Sequence, residues 1–276
     1  MMELQTVRDE DIEILLIDLH RAHGYDFSDY SRASMKRRLI RLITIDKFPS
    51  FAEMHYRLIH DSFYLRRFIE EITVNVTEMF RDPEFFKYLR QHIIPTLGTY
   101  PFIRIWVAGC ASGEEAYSIA ILLKEANLLH KSLIYATDLN PRVLEKAKSG
   151  IFSLKSIKQY SENYLASGGY EDFSSYYSAK YDVVIFNEAL RKKVVFSTHN
   201  LVSDSSFNSF QLVLCRNVLI YFNTHLQSHV LDLIDKSLDN LGYLAMGTKE
   251  TLRFSGISPK YKQVDTKEKI WRKHDS

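Results

Sequence analysis

The run Gly109-Cys110-Ala111-Ser112-Gly113-Glu114-Glu115 is where residue types and spacing first suggest chemistry. It follows the apolar, β-forming run Ile103 to Ala108 and precedes a strongly helical stretch, Tyr117 to Leu129. A strand, a glycine-bearing loop and a helix N-terminus together make a cradle for a nucleotide-like ligand. Gly109 lets the chain turn at the strand end, and Gly113 lets backbone come close to the ligand. Gly-x-x-x-Gly alone is a common pattern, and neither the dinucleotide Gly-x-Gly-x-x-Gly nor the phosphate-loop Gly-Lys-Ser/Thr is present. Glu114 and Glu115 would repel a pyrophosphate but suit a ligand with positive charge and no phosphate. A sulfonium-bearing adenosine with an amino-acid tail fits that description. The next apolar run, Leu133 to Thr137, ends in Asp138, where nucleoside-binding α/β folds place an acid for the ribose hydroxyls. Asp138 could also cap the helix that starts at Asn140-Pro141. Ribose binding is the favoured reading, and the two roles are compatible.

Other chemistries find no support. No Ser/His/Asp or Cys/His constellation stands out, the ten histidines are scattered, and no His/Cys cluster has metal spacing, so no metal is expected. Cys110 and Cys215 are the only cysteines, far apart, which argues for a reduced, cytoplasmic chain without disulfides. Each follows a strand-like run, so both are expected as small buried side chains at strand ends. No apolar run approaches the roughly 20 residues that span a bilayer, and the polar, acidic Met1 to Glu10 makes no secretory signal. Neither membrane insertion nor nucleic-acid binding is expected, the latter because the formal charge is only +2. The charge is unevenly spread: Arg32, Lys36, Arg37, Arg38 and Arg41 cluster near the N-terminus, as a solvated helix face or as a docking surface.

The elements that must position these residues fall into two parts. Up to about Tyr88 the chain reads as helical. Asp11 to His20 and Ser34 to Leu42 carry apolar residues at helical spacing, Ser50 with Glu53 forms a capping box, Leu65 to Ile72 follows, and Asp82-Pro83 opens another helix. Residues 1–88 are therefore expected as a helical domain and linker, and residues 89–276 as a second domain. From Pro101 short apolar runs alternate with helical stretches: the two strands above, then Gln211 to Cys215, Leu226 to Leu238 and Tyr243 to Gly247. That alternation predicts βαβ units and a mostly parallel sheet with helices on both faces. The tail, Tyr261 to Val264 and Lys269 to Trp271, reads as a closing hairpin. Between Gly150 and Val194 the alternation stops. Tyr181 to Phe186 and Val194 to Ser197 read as an antiparallel excursion, a small β-subdomain over about residues 152–193, with Ser174 to Ser178 as a loop.

Four stretches together are more specific than any one. Asn75-Val76-Thr77-Glu78-Met79-Phe80-Arg81-Asp82, the run from Ile105 to Ser118, Ala136-Thr137-Asp138 and Cys215-Arg216-Asn217-Val218-Leu219-Ile220-Tyr221-Phe222 resemble CheR-type chemotaxis receptor methyltransferases in sequence, order and spacing. The resemblance extends over nearly the whole chain. It implies an α/β fold, the class I S-adenosylmethionine-dependent methyltransferase (Rossmann-like, mostly parallel sheet), with an N-terminal all-α domain and a small inserted antiparallel β-subdomain. It also implies S-adenosyl-L-methionine as cofactor and S-adenosyl-L-homocysteine as product. By the same resemblance Asn75, Thr77 and Arg81 would hold the amino-acid tail of the cofactor, and an arginine fork is well matched to a carboxylate. Glu115 would face the cofactor, with Glu114 the weaker candidate, and Asp138 would take the ribose. Asn200, Leu201, Asn217 and Val218 would line its adenine and methionine sides. Tyr221 would stand beside the transferring methyl group in a catalytic or substrate-orienting role. Met79 replaces a usual aromatic residue and Ala116 a usual proline, which are changes of packing. No counterpart is found around Gly98 and Thr99 of an arginine that some members carry before the first strand.

The implied reaction is methyl transfer to glutamate side chains of a chemoreceptor-like signalling protein, giving methyl esters. A carboxylate with a pKa near ~4.3 is already an anionic nucleophile at neutral pH, so alignment is the main task and acid–base residues are dispensable. The expected partner is the helical, acidic cytoplasmic domain of a receptor, docked by Arg37, Arg38 and Arg41, with a receptor tail added strand-wise to the β-subdomain as a further option. The protein itself is expected to be a monomer. Two alternatives remain open: a methyltransferase acting on nucleic acid or a small molecule, and a non-catalytic module that binds the cofactor or its product. The first lacks the Asp/Asn-Pro-Pro-Tyr/Phe motif of amino-methylating DNA enzymes, with Cys215-Arg216-Asn217-Val218 in its place.

Overall fold

The computed structural model describes residues 7–72 and 77–274. Its contacts divide the chain into one unit of residues 1–74 with 220–229, and a second of residues 75–219 with 230–276. The first unit is helical, with α1 (Asp9–His23), α2 (Arg32–Ile45), α3 (Phe51–His60) and α4 (Ser62–Ile72). Each buries the stripe that its spacing announces: Ile12, Leu15, Leu16 and Leu19 from α1, and Met35, Leu39 and Leu42 from α2. The capping box forms as read, with Ser50 Oγ accepting from the Glu53 N–H at 3.1 Å. Residues 220–229 belong to this unit through the Ser31 N–H donating to the Tyr221 carbonyl at 2.9 Å and Asn223 Nδ2 donating to Asp29 at 2.9 Å.

The second unit begins with a turn at Met79–Asp82, then α5 (Pro83–Tyr88), a π-helical turn at Leu89–Ile93, and α6 (Ile94–Leu97). Pro83 takes the first helical position, where its missing N–H costs nothing. The alternation follows as β1 (Ile103–Ala108), α7 (Glu114–Glu125), β2 (Ser132–Asp138) and α8 (Pro141–Ser149). Next come β3 (Ile151–Ser153), α9 (Leu154–Ala166), β4 (Tyr177–Lys180), β5 (Val183–Phe186), α10 (Glu188–Arg191) and β6 (Val194–Thr198). The chain then continues through β7 (Phe210–Cys215), α11 (Thr224–Ser237), β8 (Leu238–Met246), β9 (Tyr261–Asp265) and β10 (Ile270–Lys273).

Seven strands form one sheet in the order β6-β2-β1-β7-β8-β10-β9. Pairing is parallel from β6 to β8, and β10 and β9 close it as an antiparallel hairpin. The central β7 is buried at every position, as a strand covered on both faces must be. Its apolar run Phe210–Cys215 therefore shows no alternation. Cys110 and Cys215 are both buried. A second sheet, β3-β5-β4, is antiparallel throughout and is the inserted subdomain.

Two local expectations change. Val194 to Ser197 lies outside the insert: β6 pairs in parallel with β2, from Ile134↔Val194 to Asp138↔Thr198, at the edge of the large sheet. A short apolar run does not reveal which sheet will accept it, and the break in the strand–helix alternation before it suggested the wrong one. The stretch Ser174 to Ser178 is a short 3₁₀ turn leading into β4, and Asn187 Nδ2 holds it through the Ser175 carbonyl at 2.7 Å. Among the described residues no helix is long and apolar enough to cross a membrane.

Candidate active site

The parallel strands β1, β2 and β7 deliver their carboxyl ends to one edge of the sheet, where open α/β folds bind ligands. Backbone conformation there is unusual. Phe80, Asp82, Ala111 and Asn217 all have φ between 47° and 60°, the left-handed region that non-glycine residues avoid. Such strain persists where surrounding contacts enforce it, and it concentrates at functional sites.

Those contacts can be named. The Met79–Asp82 arm is held by the Phe80 N–H donating to Ser118 Oγ on α7 at 3.0 Å, and by Asn163 Nδ2 on α9 donating to the Met79 carbonyl at 3.0 Å. The Phe80 ring is fully buried, edge-on to Phe86 and Tyr164 at 5.2 Å each. Met79 is also fully buried, so its departure from the family's aromatic is a change of packing. The glycine loop turns at Gly109, with φ +71°, and a Cβ there would lie 2.5 Å from Val218 Cγ2. That contact makes the loop after β1 and the turn after β7 one surface.

The carboxylates on this edge are sharply differentiated. Glu114 is buried and accepts the Ser112 hydroxyl on both oxygens, at 3.0 and 2.7 Å, and the Tyr160 hydroxyl at 3.3 Å. Burial pushes its carboxyl up. Glu115, in the first turn of α7, meets the Arg216 guanidinium at 2.7 Å. Burial raises this carboxyl too, while Arg216, and then Arg81, draw it back down. Asp138 accepts the Ala111 N–H on one oxygen and the Asn140 N–H on the other, both at 2.9 Å. Burial again raises it, against those backbone donors. The helix cap is Asn140 rather than Asp138: its Oδ1 accepts the Arg142 N–H at 3.0 Å. Asn140 Nδ2 is buried with no partner among the described residues. Each Asp138 oxygen still has a lone pair to accept a hydroxyl. An acceptor-bearing Asp138 and an orphan donor beside it, over a loop without Cβ at Gly109, fit a ribose. An edge lined by Glu114, Glu115 and Asp138 fits a cationic, phosphate-free ligand.

The remaining expected residues are dispersed. Asn75 lies outside the described residues. Thr77 and Arg81 are half-buried on the arm. Asn200 uses its side-chain oxygen on its own turn, accepting the Val202 N–H at 3.0 Å, and Leu201 is buried beside it. Asn217 and Val218 are half-buried at the end of β7. Tyr221 is counted with the helical unit, its ring facing the Arg38 guanidinium at 5.0 Å. Cys110 and Cys215 are fully enclosed thiols that burial pushes up, so neither is a nucleophile.

Arg38 requires a correction. It was expected on the exposed basic face with Arg37 and Arg41, but it is only 7% exposed. Its guanidinium donates to the Glu71 and Ile72 carbonyls, at 2.8 and 2.6 Å, satisfying the open end of α4. It is thus committed inside the helical unit. Arg37 is exposed, and Arg41 reaches Glu71 at 3.2 Å while remaining exposed.

Two residues given no role by the sequence organise the site. The Arg216 side chain is 1% exposed and bridges Asp82 and Glu115 at 2.7 Å each, over the Phe85 ring at 3.9 Å. It ties the arm, the α7 N-terminus and the end of β7 together. Its signals were a charged residue closing an apolar strand and a place in the Cys215 to Phe222 block. Glu250 is 5% exposed and accepts the N–H groups of Asn217, Val218 and Leu219 at 3.0, 2.9 and 2.8 Å, with that of Gly247 at 2.5 Å. It holds the left-handed Asn217 turn in place, and no local pattern pointed to it.

Comparison with known proteins agrees with this geometry. Residues 75–270 match the CheR methyltransferase SAM binding domain, and residues 10–73 match the CheR methyltransferase all-alpha domain. The chain is 44% identical over 268 residues to a putative methyltransferase of Pseudomonas putida, covering 96% of this chain and 98% of that protein. It is 32% identical over 231 residues to a chemotaxis protein methyltransferase of Listeria innocua, covering 83% and 85%. A chemotaxis protein methyltransferase of Salmonella typhimurium is 30% identical over 246 residues, covering 84% and 80%. The chain belongs to the CheR methyltransferase family, and it is an S-adenosylmethionine-dependent methyltransferase.

Proposed function

We propose that the protein methylates glutamate side-chain carboxylates of a chemoreceptor-like signalling protein, giving methyl esters. Bound S-adenosylmethionine supplies a methyl carbon made electrophilic by its sulfonium. Asn75, Thr77 and Arg81 hold the amino-acid tail, Asp138 the ribose, and Asn200, Leu201, Asn217 and Val218 flank the remaining faces. Glu115, restrained by Arg216, would contribute negative potential that suits a cationic ligand. Tyr221 orients the acceptor. The acceptor carboxylate is ionised at neutral pH and needs no base, so the chain's contribution is alignment and exclusion of water.

The observation that carries this reading is the character of the site. Its carboxylates Glu114, Glu115 and Asp138 are already engaged by Ser112, Arg216 or backbone N–H groups, and its thiols are enclosed. Among the described residues these carboxylates already have partners and these thiols are enclosed, which suits an acceptor that arrives ionised. The curated relatives named for chemotaxis point to the same class of substrate. Arg37 and Arg41, on the exposed side of α2, are the proposed contacts for an acidic receptor helix. Incubation with methyl-labelled cofactor and receptor cytoplasmic domains tests the reading. Label released by mild base is expected; base-stable label would assign a nitrogen or carbon acceptor instead.

A further inference from the structure

After β8 the chain makes a loop, residues 247–257, that is fixed at both ends and uncovered in the middle. Glu250 roots its start, through the Gly247 N–H and the Asn217–Leu219 turn. Leu252 and Ile257 are buried, and Ser255 closes the bend by donating its N–H and hydroxyl to the Leu252 carbonyl, at 3.1 and 2.8 Å. Between these anchors Phe254 is 91% exposed, the highest value of any large hydrophobic side chain described. Lys249 and Arg253 are exposed beside it. The only carboxylate between Gly247 and Lys260 is Glu250, which is buried on backbone N–H groups.

A scattered exposed apolar residue is ordinary. This one is a whole aromatic ring held outward by a braced loop, flanked by two exposed cations, with the loop's one carboxylate buried. A rigid aromatic anchor in a basic setting is what an acidic, amphipathic partner covers well, because little entropy remains to be lost on binding. Four residues of chain reach at most about 14 Å, so Phe254 stays within that distance of Glu250 and hence near the turn that Glu250 holds. We propose that the 247–257 loop is a docking element for the methyl-acceptor protein. Phe254 enters an apolar notch of an acidic amphipathic helix, and Lys249 and Arg253 meet its carboxylates. The inference rests on the acceptor being such a helix, as proposed above.

The test compares wild type, F254A and K249E/R253E. Initial rates are measured against the concentration of a purified receptor cytoplasmic domain, with cofactor affinity measured separately by calorimetry. For F254A the acceptor KM should rise about tenfold to a hundredfold, the equivalent of one lost aromatic burial. K249E/R253E should do the same with added salt dependence, and F254Y should recover most of the loss. Cofactor affinity should not change in any variant. An unchanged acceptor KM in F254A, with wild type active, overturns the docking inference and leaves the acceptor reading intact. A parallel loss of cofactor affinity also overturns it, by making the loop part of the cofactor site. Failure of wild type to place base-labile methyl on any acidic helical domain overturns the acceptor reading, and the inference with it.

Discussion

Replacing Arg216 by methionine removes the guanidinium of a side chain that is 1% exposed while leaving its two carboxylates in place. Breaking a buried ion pair from one side costs about 3–5 kcal/mol, because the partner is left charged and unpaired. The Asp82 side chain is 40% exposed, so its share is screened by water, and the expected loss lies near the lower end, about 3 kcal/mol. For a chain of this size that corresponds to a fall in Tm of about 6–12 °C. The loss should also depend on pH. Burial raises the Glu115 carboxyl and Arg216 pulls it back, so without Arg216 it titrates higher still. A carboxyl raised in the folded state binds more protons folded than unfolded, and its ionisation costs stability as pH rises through that window. The deficit of the variant should therefore be largest at neutral pH and shrink as the pH falls and Glu115 is neutralised. Cofactor affinity should fall at least tenfold, since the arm, α7 and the Asn217 turn lose their common tie. Differential scanning fluorimetry across pH, with calorimetric titration of the cofactor, measures both effects. A Tm within about 2 °C of wild type at pH 7, with unchanged affinity, would refute the idea that Arg216 organises the site. Arg216→Lys should fall in between, because an ammonium cannot bridge two carboxylates as a planar fork does.

Glu250→Gln keeps the shape but turns an amide group toward backbone N–H donors, forfeiting charged hydrogen bonds of about 1.5–3 kcal/mol each. Methyl transfer should fall by about a hundredfold, and activity within twofold of wild type would show that the carboxylate is not what holds the Asn217 turn. Asp138→Asn should weaken cofactor binding by about tenfold or more, equivalent to ~1.4 kcal/mol; a change under twofold by titration would remove Asp138 from the ribose site. Arg37→Glu with Arg41→Glu should raise the KM for the acceptor protein and leave cofactor affinity alone, and unchanged acceptor kinetics would exclude α2 as a docking face. Arg38→Met should instead lower Tm, because two carbonyls at the end of α4 lose their donor.

Much of this protein is written in local pattern. Apolar spacing marked the helical stripes of α1 and α2, Ser50 with Glu53 marked a capping box, and Asp82-Pro83 marked a helix start. Alternating runs marked the parallel sheet and its closing hairpin. These signals are legible because each depends on neighbours within a turn or a strand. The glycine loop and Asp138 were legible for the same reason: strand ends in such a sheet must carry the ligand-binding loops. Tertiary structure decided what depends on distant partners. It placed β6 in the large sheet, because β2 offered an open edge with matching register. It made Asn140 the helix cap and freed Asp138 to brace the glycine loop. It took Arg38 out of a basic helix face to close another helix's carbonyls. It also gave Arg216 and Glu250 their work, since the carboxylates that Arg216 meets lie 134 and 101 residues away, and the Asn217–Leu219 turn that Glu250 holds lies 33 to 31 residues away. Buried charge is costly unless paired, and sequence alone does not reveal which distant group will supply the pair.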